Sequence, residues 1–465
     1  MTDETRLTRD VAEWVAVQRD RALPPEVDHH ARRLILDHLA GVVASAVGPV
    51  SAAVGKHVGR MYPGGSATAL GFGRSSVLGA ALINGTNGHG IESDEGYTPG
   101  SMHPTSAVLP AVFAVAQEAG SSAEAILRAS AIGMELACRI ADAGHPATRN
   151  NHFHNTPIAG VLGAAAAVSA LRGFDAELTA NALGIAGSHA GGLFEFLGQS
   201  AEVKRLHPGK AARDGIVSAD LAEAGLTGPT TVLEGTDGYF AAFAGKPGTD
   251  WNPATVRDGL GANWVIRRTY VKPYPCCRHL HGAIDAVLAL SQEHTLDIAQ
   301  IDSIEVGTFG IATRHAHTET GTVLDAQLSL PYTVALALVR GGVTLTDFDE
   351  SSRSDPGVRR VMEKVRVYLD EAADAAYPKT GRPAEVTIRL ADGTKVSHRV
   401  EQPYGEPDNP MSDQDLERKA RGLAEPVIGE EGTRDLIDGA WNFAGLAFLD
   451  DIDRAISLTR SPAAV

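Results

Sequence analysis

Cysteine is scarce in this chain, with Cys138, Cys276 and Cys277 as the three cysteines among 465 residues. Three cysteines cannot form a disulfide framework, and the adjacent Cys276 and Cys277 could pair with each other only with strain. This usage is typical of a protein in a reducing compartment, so we expect a cytoplasmic location.

Long apolar segments are also lacking. The longest, residues 158–171, has 14 residues and is mostly Ala and Gly, whereas a membrane span needs about 20. The N-terminal "MTDETRLTRD" does not lead into the apolar run of a signal peptide. We therefore expect no membrane partner.

Positive charge is in deficit, because 41 Lys and Arg face 57 Asp and Glu, which gives a net charge of −16. A nucleic-acid-binding surface needs a basic footprint, so we expect no nucleic acid partner. A small anionic substrate would need basic side chains gathered locally against the overall field.

The hydrophobic pattern changes along the chain and predicts two domains, as the length also suggests. Helical periodicity covers most of residues 1–268 and returns in 404–465. Strand-like alternation appears at 301–310 and 364–370, and 384–400 has the pattern of a hairpin. We predict a large all-helical domain from 1–268 plus 404–465, with an inserted smaller α+β domain at 269–403.

Acidic residues and a histidine lie together in "HGIESDEGYTPGSMHPTSAVLP" (89–110). Glu92, Asp94 and Glu95 occupy a Gly- and Pro-rich loop, and His103 precedes an apolar helix. A histidine there can act as general acid or base near neutral pH, oriented by a carboxylate. The alternative is a solvated acidic loop followed by a capping histidine.

Two histidines in "NHFHNTPIAG" (151–160) directly precede an Ala-rich helix. A helix N-terminus attracts anions through its unpaired N–H groups, so His154 and Thr156 could hold a carboxylate. The alternative is that one histidine packs in the core and the other is solvated.

The densest basic run is "EVKRLHPGKAARDG" (202–215), with Lys204, Arg205, His207, Lys210 and Arg213. Charge-assisted hydrogen bonds from such side chains could clamp a polycarboxylate. The alternative is an ordinary solvated helix face.

The segment "KPYPCCRHLHGAID" (272–285) allows an anion, thiol or metal site. Its prolines exclude helix around Lys272, near the predicted domain boundary where pockets are common. Cys277 lies close in sequence to Lys272 and Arg278, which would lower its pKa, but no nucleophile motif accompanies it. We therefore favour an anion site and assign both cysteines to packing.

A metal or nucleotide cofactor is not expected. Three His-x-His pairs occur, at 152/154, 279/281 and 315/317, but HExxH and paired CxxC motifs are absent. The glycine pattern in "ALGFGRSS" (69–76) is only partial and follows no predicted strand, which argues against a dinucleotide site.

Six segments, in this order, resemble the MmgE/PrpD family, which includes 2-methylcitrate dehydratase, cis-aconitate decarboxylase and iminodisuccinate epimerase. They are "HGIESDEGYTPGSMHPTSAVLPA", "FHNTPIAGVLGAAAA", "KRLHPGKAARDG", "LTGPTTVLEGTDGYF", "KPYPCCRHLHGAIDA" and "SLPYTVALAL". The resemblance implies a helical domain with an inserted α+β lid domain, a pocket between them, a homodimer, and no metal or organic cofactor.

The resemblance also implies the catalytic residues, which match the family positions at His103, His154, Lys204, Lys272 and Tyr332. The later pocket histidine of the family falls at His279 or His281, and the run "HGAIDA" favours His281. As substrate-binding residues we predict a further set: Glu92, Asp94, Thr156, Arg205 and Arg278.

One departure from the family pattern concerns the carboxylates before the His-Pro pair. The family has H-x-x-D-x-D-D, whereas this chain has His89, Glu92, Asp94 and Glu95 at those positions. Each glutamate reaches about one bond further than aspartate, which would shift the substrate.

These observations predict a lyase-type enzyme that abstracts a proton alpha to a carboxylate of a di- or tricarboxylate. Dehydration of a 2-methylcitrate-like acid is ranked first, and decarboxylation of a cis-aconitate-like acid or epimerisation of an iminodisuccinate-like acid remains open. A non-catalytic carboxylate-binding protein and a metal hydrolase using the His-x-His pairs are the alternatives from other classes.

Overall fold

The computed structural model describes residues 6–199, 201–378 and 380–459. The chain divides into two compact units. The first unit runs up to Gly90, from Asp94 to Thr269, and from Asp413 onward; the second consists of Ile91–Ser93 and Tyr270–Ser412. The predicted two-domain organisation is confirmed, with one helical unit and one mixed unit. The mixed unit ends at Ser412, beyond the predicted residue 403.

The α-helices are numbered in chain order. They are α1 Leu7–Gln18, α2 Pro25–Ala46, α3 Pro49–Met61, α4 Val77–Gly88, α5 Pro104–Ala119, α6 Ala123–Gly144, α7 Ala147–Asn150, α8 Asn155–Leu171, α9 Ala176–His189, α10 Val203–Glu223, α11 Tyr239–Phe243, α12 Pro253–Arg257, α13 His281–Glu293, α14 Gly310–Thr313, α15 Val323–Gln327, α16 Leu330–Arg340, α17 Glu350–Arg353, α18 Pro356–Met362, α19 Glu371–Ala376, α20 Asp413–Trp441 and α21 Phe448–Thr459. Helix α20 is broken at Gly429, where φ is 71°.

The strands and the short 3-10 helices complete the secondary structure. The strands are β1 Pro63–Ala69, β2 Gly73–Ser75, β3 Gly96–Tyr97, β4 Thr269–Tyr270, β5 Ile301–Thr308, β6 Val365–Leu369, β7 Ala384–Leu390 and β8 Lys395–Val400. The 3-10 helices are Phe194–Gly198, Val265–Arg268, Arg278–Leu280, Ile298–Gln300 and Leu345–Phe348.

Helix α8 lies in the centre of the helical unit because its small residues let neighbouring helices approach closely. A Cβ added at Gly163 would lie 2.6 Å from the carbonyl oxygen of Gly133 on α6, which leaves no room for a side chain. Helices α5, α9 and α10 also pack against α8. Almost every residue of this Gly- and Ala-rich helix is buried as a result.

The helical unit is not purely helical, which corrects the all-helical prediction. Strands β1 and β2 form an antiparallel hairpin, with Thr68 opposite Arg74. Its first strand begins with exposed Gly and Ser residues, so it carries too little hydrophobic alternation to be recognised from the sequence.

The mixed unit contains a four-stranded sheet in the order β6-β5-β7-β8. Strand β5 is parallel to β6 and antiparallel to β7, with Val306 opposite both Val367 and Val386. The alternating apolar residues of β5 and β7 are buried under α13 and α16. The hairpin predicted at 384–400 is confirmed by the antiparallel pairing of β7 with β8.

Within the described residues, no single helix is both long and apolar enough to cross a membrane. The pair α2 and α3 passes the same criteria of length and composition together, but it is bent by 87° at the break between the two helices.

Candidate active site

A buried carboxylate joins two histidines at the ends of two helices in the helical unit. His89 follows α4 and His103 precedes α5, while Asp94 lies on the loop between them. The Asp94 Oδ2 atom is 2.6 Å from His89 Nδ1 and 3.1 Å from His103 Nδ1. Asp94 and Glu95 are buried, so the alternative of a solvated loop fails at these two residues.

The hydrogen bonds of His103 determine which ring nitrogen can move a proton. Its Nδ1 atom faces both the backbone carbonyl of Glu95 and the carboxylate of Asp94. Both of these groups accept hydrogen bonds, so Nδ1 carries the proton and Nε2 of the neutral ring holds the lone pair. The His103 side chain is 16% exposed, against 0% for His89, which makes His103 the more accessible base.

Glu95 is buried and joins the loop before α5 to the first turn of that helix. Its carboxylate accepts hydrogen bonds from the backbone N–H and the hydroxyl of Thr105, in the first turn of α5. Burial, reinforced by the neighbouring Asp94 charge, raises the pKa of Glu95. The glutamate that replaces a family aspartate here therefore acts as a helix cap in this chain.

A second histidine pair lies beside the first. The Nδ1 atoms of His154, before α8, and His207, on α10, are 3.0 Å apart, so one donates and the other accepts. Burial above all, followed by the charge of His89, lowers the pKa of His207 to about 4 and that of His154 well below its usual range. Both rings are therefore neutral at pH 7.

The two histidine pairs form one cluster, which we call the histidine cluster: His89, Asp94, His103, His154 and His207. The ring centroids of His89 and His154 are 6.0 Å apart. Phe194 and Phe196 pack against the His154 ring, with centroids at 5.1 and 5.6 Å, and add apolar surface to the cluster.

Two more predicted residues, Thr156 and Lys204, interact with members of this cluster. Thr156 accepts a hydrogen bond from the His103 backbone N–H, 3.1 Å away, and so positions His103 rather than a carboxylate. Lys204 is partly buried, and its positive charge contributes to the lowered pKa values of His89 and His154.

Arg205 has hydrogen-bond donors that the described residues do not use. Its guanidinium is buried and lies 3.1 Å from Glu202, while Nε and one terminal nitrogen have no partner among the described residues. Buried unpaired donors of this kind favour an anion.

The cluster also resembles a metal site in its ligand types. Ligand atoms of His89, Asp94 and His103 lie within 4.8 Å of one another, and two imidazoles with a carboxylate suit a divalent ion. The Nδ1 atoms of His89 and His103 both lie at hydrogen-bond distance from Asp94, and His103 Nδ1 also faces the backbone carbonyl of Glu95. An ion bound at these atoms would have to replace those protons, so hydrogen bonding accounts for the arrangement.

Lys272 lies in the mixed unit and is almost fully buried. Its Nζ atom donates to the carbonyl of Glu92 at 3.1 Å and lies 3.7 Å from the Glu92 carboxylate. Gln327 donates to the carbonyls of Ile91 and Pro275, each at 2.9 Å. The predicted substrate ligand Glu92 is therefore an ion-pair partner of Lys272.

Arg278 and His281 are held by hydrogen bonds within the mixed unit. Arg278 donates to Glu406 at 3.0 Å, to the Tyr404 carbonyl at 3.0 Å and to His281 Nδ1 at 2.8 Å. The other ring nitrogen of His281 lies 3.3 Å from the Cys276 carbonyl and donates to it. Both side chains are thus engaged structurally, which argues against the predicted roles of His281 in catalysis and Arg278 in substrate binding.

His279 differs from His281 in having a buried ring nitrogen without a partner among the described residues. Its Nδ1 atom is buried and has no partner among the described residues, while its ring lies near Phe309 and His315. Burial, followed by the charge of Arg382, lowers the pKa of His279 well below its usual range. The geometry favours His279, against the preference for His281 from the sequence.

Tyr332 is buried in the core of the mixed unit at the start of α16. Its hydroxyl donates to the carbonyl of Asp347 at 2.6 Å, and burial raises its pKa. These contacts describe a core tyrosine and give no support to the predicted role as a proton donor.

Two members of the cluster, His89 and His207, were noted in the sequence but were not among the predicted catalytic or substrate-binding residues. Each had a signal: His89 opens the H-x-x-E-x-D-E pattern, and His207 lies three residues after Lys204, about one helical turn away. Neither signal says which other element the side chain meets.

Two family profiles match successive parts of the chain. The profile of the MmgE/PrpD N-terminal domain matches residues 9–252, and that of the MmgE/PrpD C-terminal domain matches residues 274–442. The cis-aconitate decarboxylase-like protein oryM of Aspergillus oryzae is 29% identical over 92% of this chain and 93% of its own length. The human cis-aconitate decarboxylase is 28% identical over 82% of this chain and 79% of its own length.

A cis-aconitate decarboxylase of Aspergillus terreus is 28% identical over 98% of this chain and 96% of its own length. The two profiles together match most of the chain, and these relatives are enzymes by name. This chain therefore belongs to the MmgE/PrpD family and is an enzyme of the lyase type.

Proposed function

We propose that the protein decarboxylates an unsaturated tricarboxylate of the cis-aconitate type. Two of its relatives are named cis-aconitate decarboxylase, and a third is named cis-aconitate decarboxylase-like. Dehydration of a 2-methylcitrate-like acid, ranked first from the sequence, has no such support. The observation that carries the chemistry is the bridge from Asp94 to His103, which holds Nδ1 and leaves His103 Nε2 as the atom that can take up and deliver a proton.

Decarboxylation of such an acid needs a proton on carbon after CO2 has left. The C–C bond to the leaving carboxylate breaks, and its electron pair moves through the adjacent double bond onto the carbon beside another carboxylate. This carbanion then takes one proton and becomes an unsaturated dicarboxylate. The protein must therefore stabilise a delocalised negative charge and deliver one proton.

His103 is the proposed proton donor. With Nδ1 held by two acceptors, the ring protonates at Nε2 and delivers that proton to carbon, while Asp94 stabilises the resulting charge on the ring in the meantime. His89 Nδ1 contacts the same Oδ2 atom of Asp94 as His103 does. His103 lies at the start of α5, where its backbone is fixed by Thr156.

Lys204 and Arg205 are the proposed carboxylate ligands of the helical unit. The donors of Arg205 that lack a partner among the described residues supply hydrogen bonds, and Lys204 supplies charge. His154 and His207, both neutral, provide a polar wall that adds no competing positive charge. For Lys272 and His279 we propose a role in the same reaction on the family resemblance.

The test is proton NMR of the purified enzyme in D2O with three substrates in parallel: cis-aconitate, 2-methylcitrate and iminodisuccinate. We expect loss of CO2 from cis-aconitate and one deuterium at the newly protonated carbon. Water loss from 2-methylcitrate, or epimerisation of iminodisuccinate, with cis-aconitate unchanged would contradict the proposal.

The residue assignment is tested with His103→Gln against a matched control. His57→Gln makes the same change at an exposed position on α3. General acid–base catalysis contributes about 10²–10⁴ in rate, so His103→Gln should lose at least about 100-fold in kcat while His57→Gln keeps wild-type turnover. Equal turnover of the two variants would remove His103 from the mechanism.

A further inference from the structure

Cys277 occupies a position that sets it apart from the other two cysteines. It lies in the mixed unit directly before the 3-10 helix Arg278–Leu280, which leads into α13. Cys277 is partly exposed, whereas Cys138 and Cys276 are fully buried. The backbone N–H of His279 faces the Cys277 sulfur.

A histidine faces the Cys277 thiol. The Cys277 Sγ atom is 3.7 Å from His315 Nε2, on the segment after α14. The His315 ring also hydrogen-bonds the backbone of Leu328, and its own carbonyl accepts from the Leu330 N–H at 2.9 Å. A thiol, a base and a third group that orients the base form the arrangement that activates a cysteine nucleophile.

The groups around the Cys277 sulfur have opposing effects on its pKa, and those that lower it prevail. Burial by itself raises the pKa of Cys277, but the charge and hydrogen bond of His315, helped by the backbone N–H of His279, outweigh burial and lower it. The same pairing raises the pKa of His315. Glu92 opposes the effect and Tyr377 lies close by. Cys276, in contrast, has its pKa raised well above the usual range, chiefly by burial.

We propose that Cys277 and His315 form a thiolate–imidazolium pair, and that Cys277 is a modification site oxidised by hydroperoxides. Cys277 also packs against the core of the mixed unit, as the sequence analysis expected for both cysteines, and the proposed reactivity is an additional role. The inference is independent of the proposed decarboxylation.

The reaction is balanced with peroxide as the oxidant. The thiolate attacks one peroxide oxygen, an S–O bond forms and the O–O bond breaks, and His315 gives its proton to the departing hydroxide. Sulfur loses two electrons to the peroxide, and the products are Cys277 sulfenic acid, water and neutral His315.

Two measurements on the intact protein test the site. Treatment with hydrogen peroxide followed by a sulfenic-acid trap and peptide mass spectrometry should label Cys277 and leave Cys138 and Cys276 unlabelled. Alkylation of Cys277 by iodoacetamide should show a pH midpoint below about 8.5, the value for a free cysteine. Labelling spread over all three cysteines, or a midpoint at or above that of a free thiol, overturns the proposal.

The role of His315 is tested with His315→Gln, and His317→Gln serves as control because it lies two residues away on the same segment. His315→Gln should slow alkylation of Cys277 at pH 7 by at least about tenfold, as expected when the thiolate fraction falls. His317→Gln should leave the rate unchanged. Equal rates in wild type and His315→Gln contradict the pair, and if His315→Gln fails to fold, the pH midpoint of the wild-type protein decides.

Discussion

Replacing Asp94 by Asn should disable the enzyme by removing the charge that stabilises protonated His103. The two groups are 3.1 Å apart, and the Asp94 side chain is 1% exposed. Coulomb's law at that distance gives roughly 1 kcal/mol in water and roughly 5 kcal/mol at an effective dielectric constant of 20, which suits protein sites. At 1.36 kcal/mol per tenfold, kcat should fall by about 10- to 10⁴-fold, with the larger value expected for this buried pair.

The assay is steady-state decarboxylation from pH 5.5 to 8.5, with Asp142→Asn as the matched control. Asp142 is a partly buried carboxylate of the same unit that accepts a hydrogen bond from the Tyr97 hydroxyl at 2.9 Å, outside the histidine cluster. The control should keep most of the wild-type kcat. If Asp94→Asn loses less than threefold, or no more than Asp142→Asn, the electrostatic argument for His103 is refuted.

Three further predictions concern stability and the choice of histidine. Burial lowers the pKa of His38 from 6.5 to about 4 in the folded protein. As pH falls, the unfolded chain therefore takes up this proton before the folded chain does. The free energy of unfolding is highest above pH 6.5 in this respect and decreases as pH falls towards 4. At 1.36 kcal/mol per pKa unit, the decrease in the free energy of unfolding is roughly 3 kcal/mol. Urea unfolding of His38→Gln at a series of pH values should lack this decrease. His279→Gln should lower kcat by at least about tenfold with an unchanged midpoint of urea unfolding. His281→Gln should lower the unfolding midpoint instead. The reverse result would make His281 the catalytic histidine. Arg278→Met should destabilise the protein by about 3 kcal/mol in urea unfolding, because its buried pairing with Glu406 is lost, and a change below about 1 kcal/mol would contradict that role.

The fold was predictable where local periodicity is strong. Helix α8 and the β7–β8 hairpin carry their spacing and turn residues in the sequence itself. The β1–β2 hairpin was not predicted, because exposed Gly and Ser residues leave no alternating pattern.

The candidate site was predictable in kind and less so in detail. His103 and His154 each directly precede a helix, which is visible in the sequence. The hydrogen bonds of His281 and Arg278 could not be predicted, because residue type reveals a capacity to bind but not whether a distant Glu406 or a backbone carbonyl already uses it.

The sequence by itself determined the family, the helical and mixed character of the two units, and the presence of histidines and cations suited to carboxylate chemistry. Only the tertiary structure decided which histidines share Asp94, which cations are already paired, and that Cys277 faces His315. The physical reason is that hydrogen bonding and desolvation depend on neighbours far apart in the chain. The same histidine or thiol is structural or reactive according to what lies within a few ångströms of it.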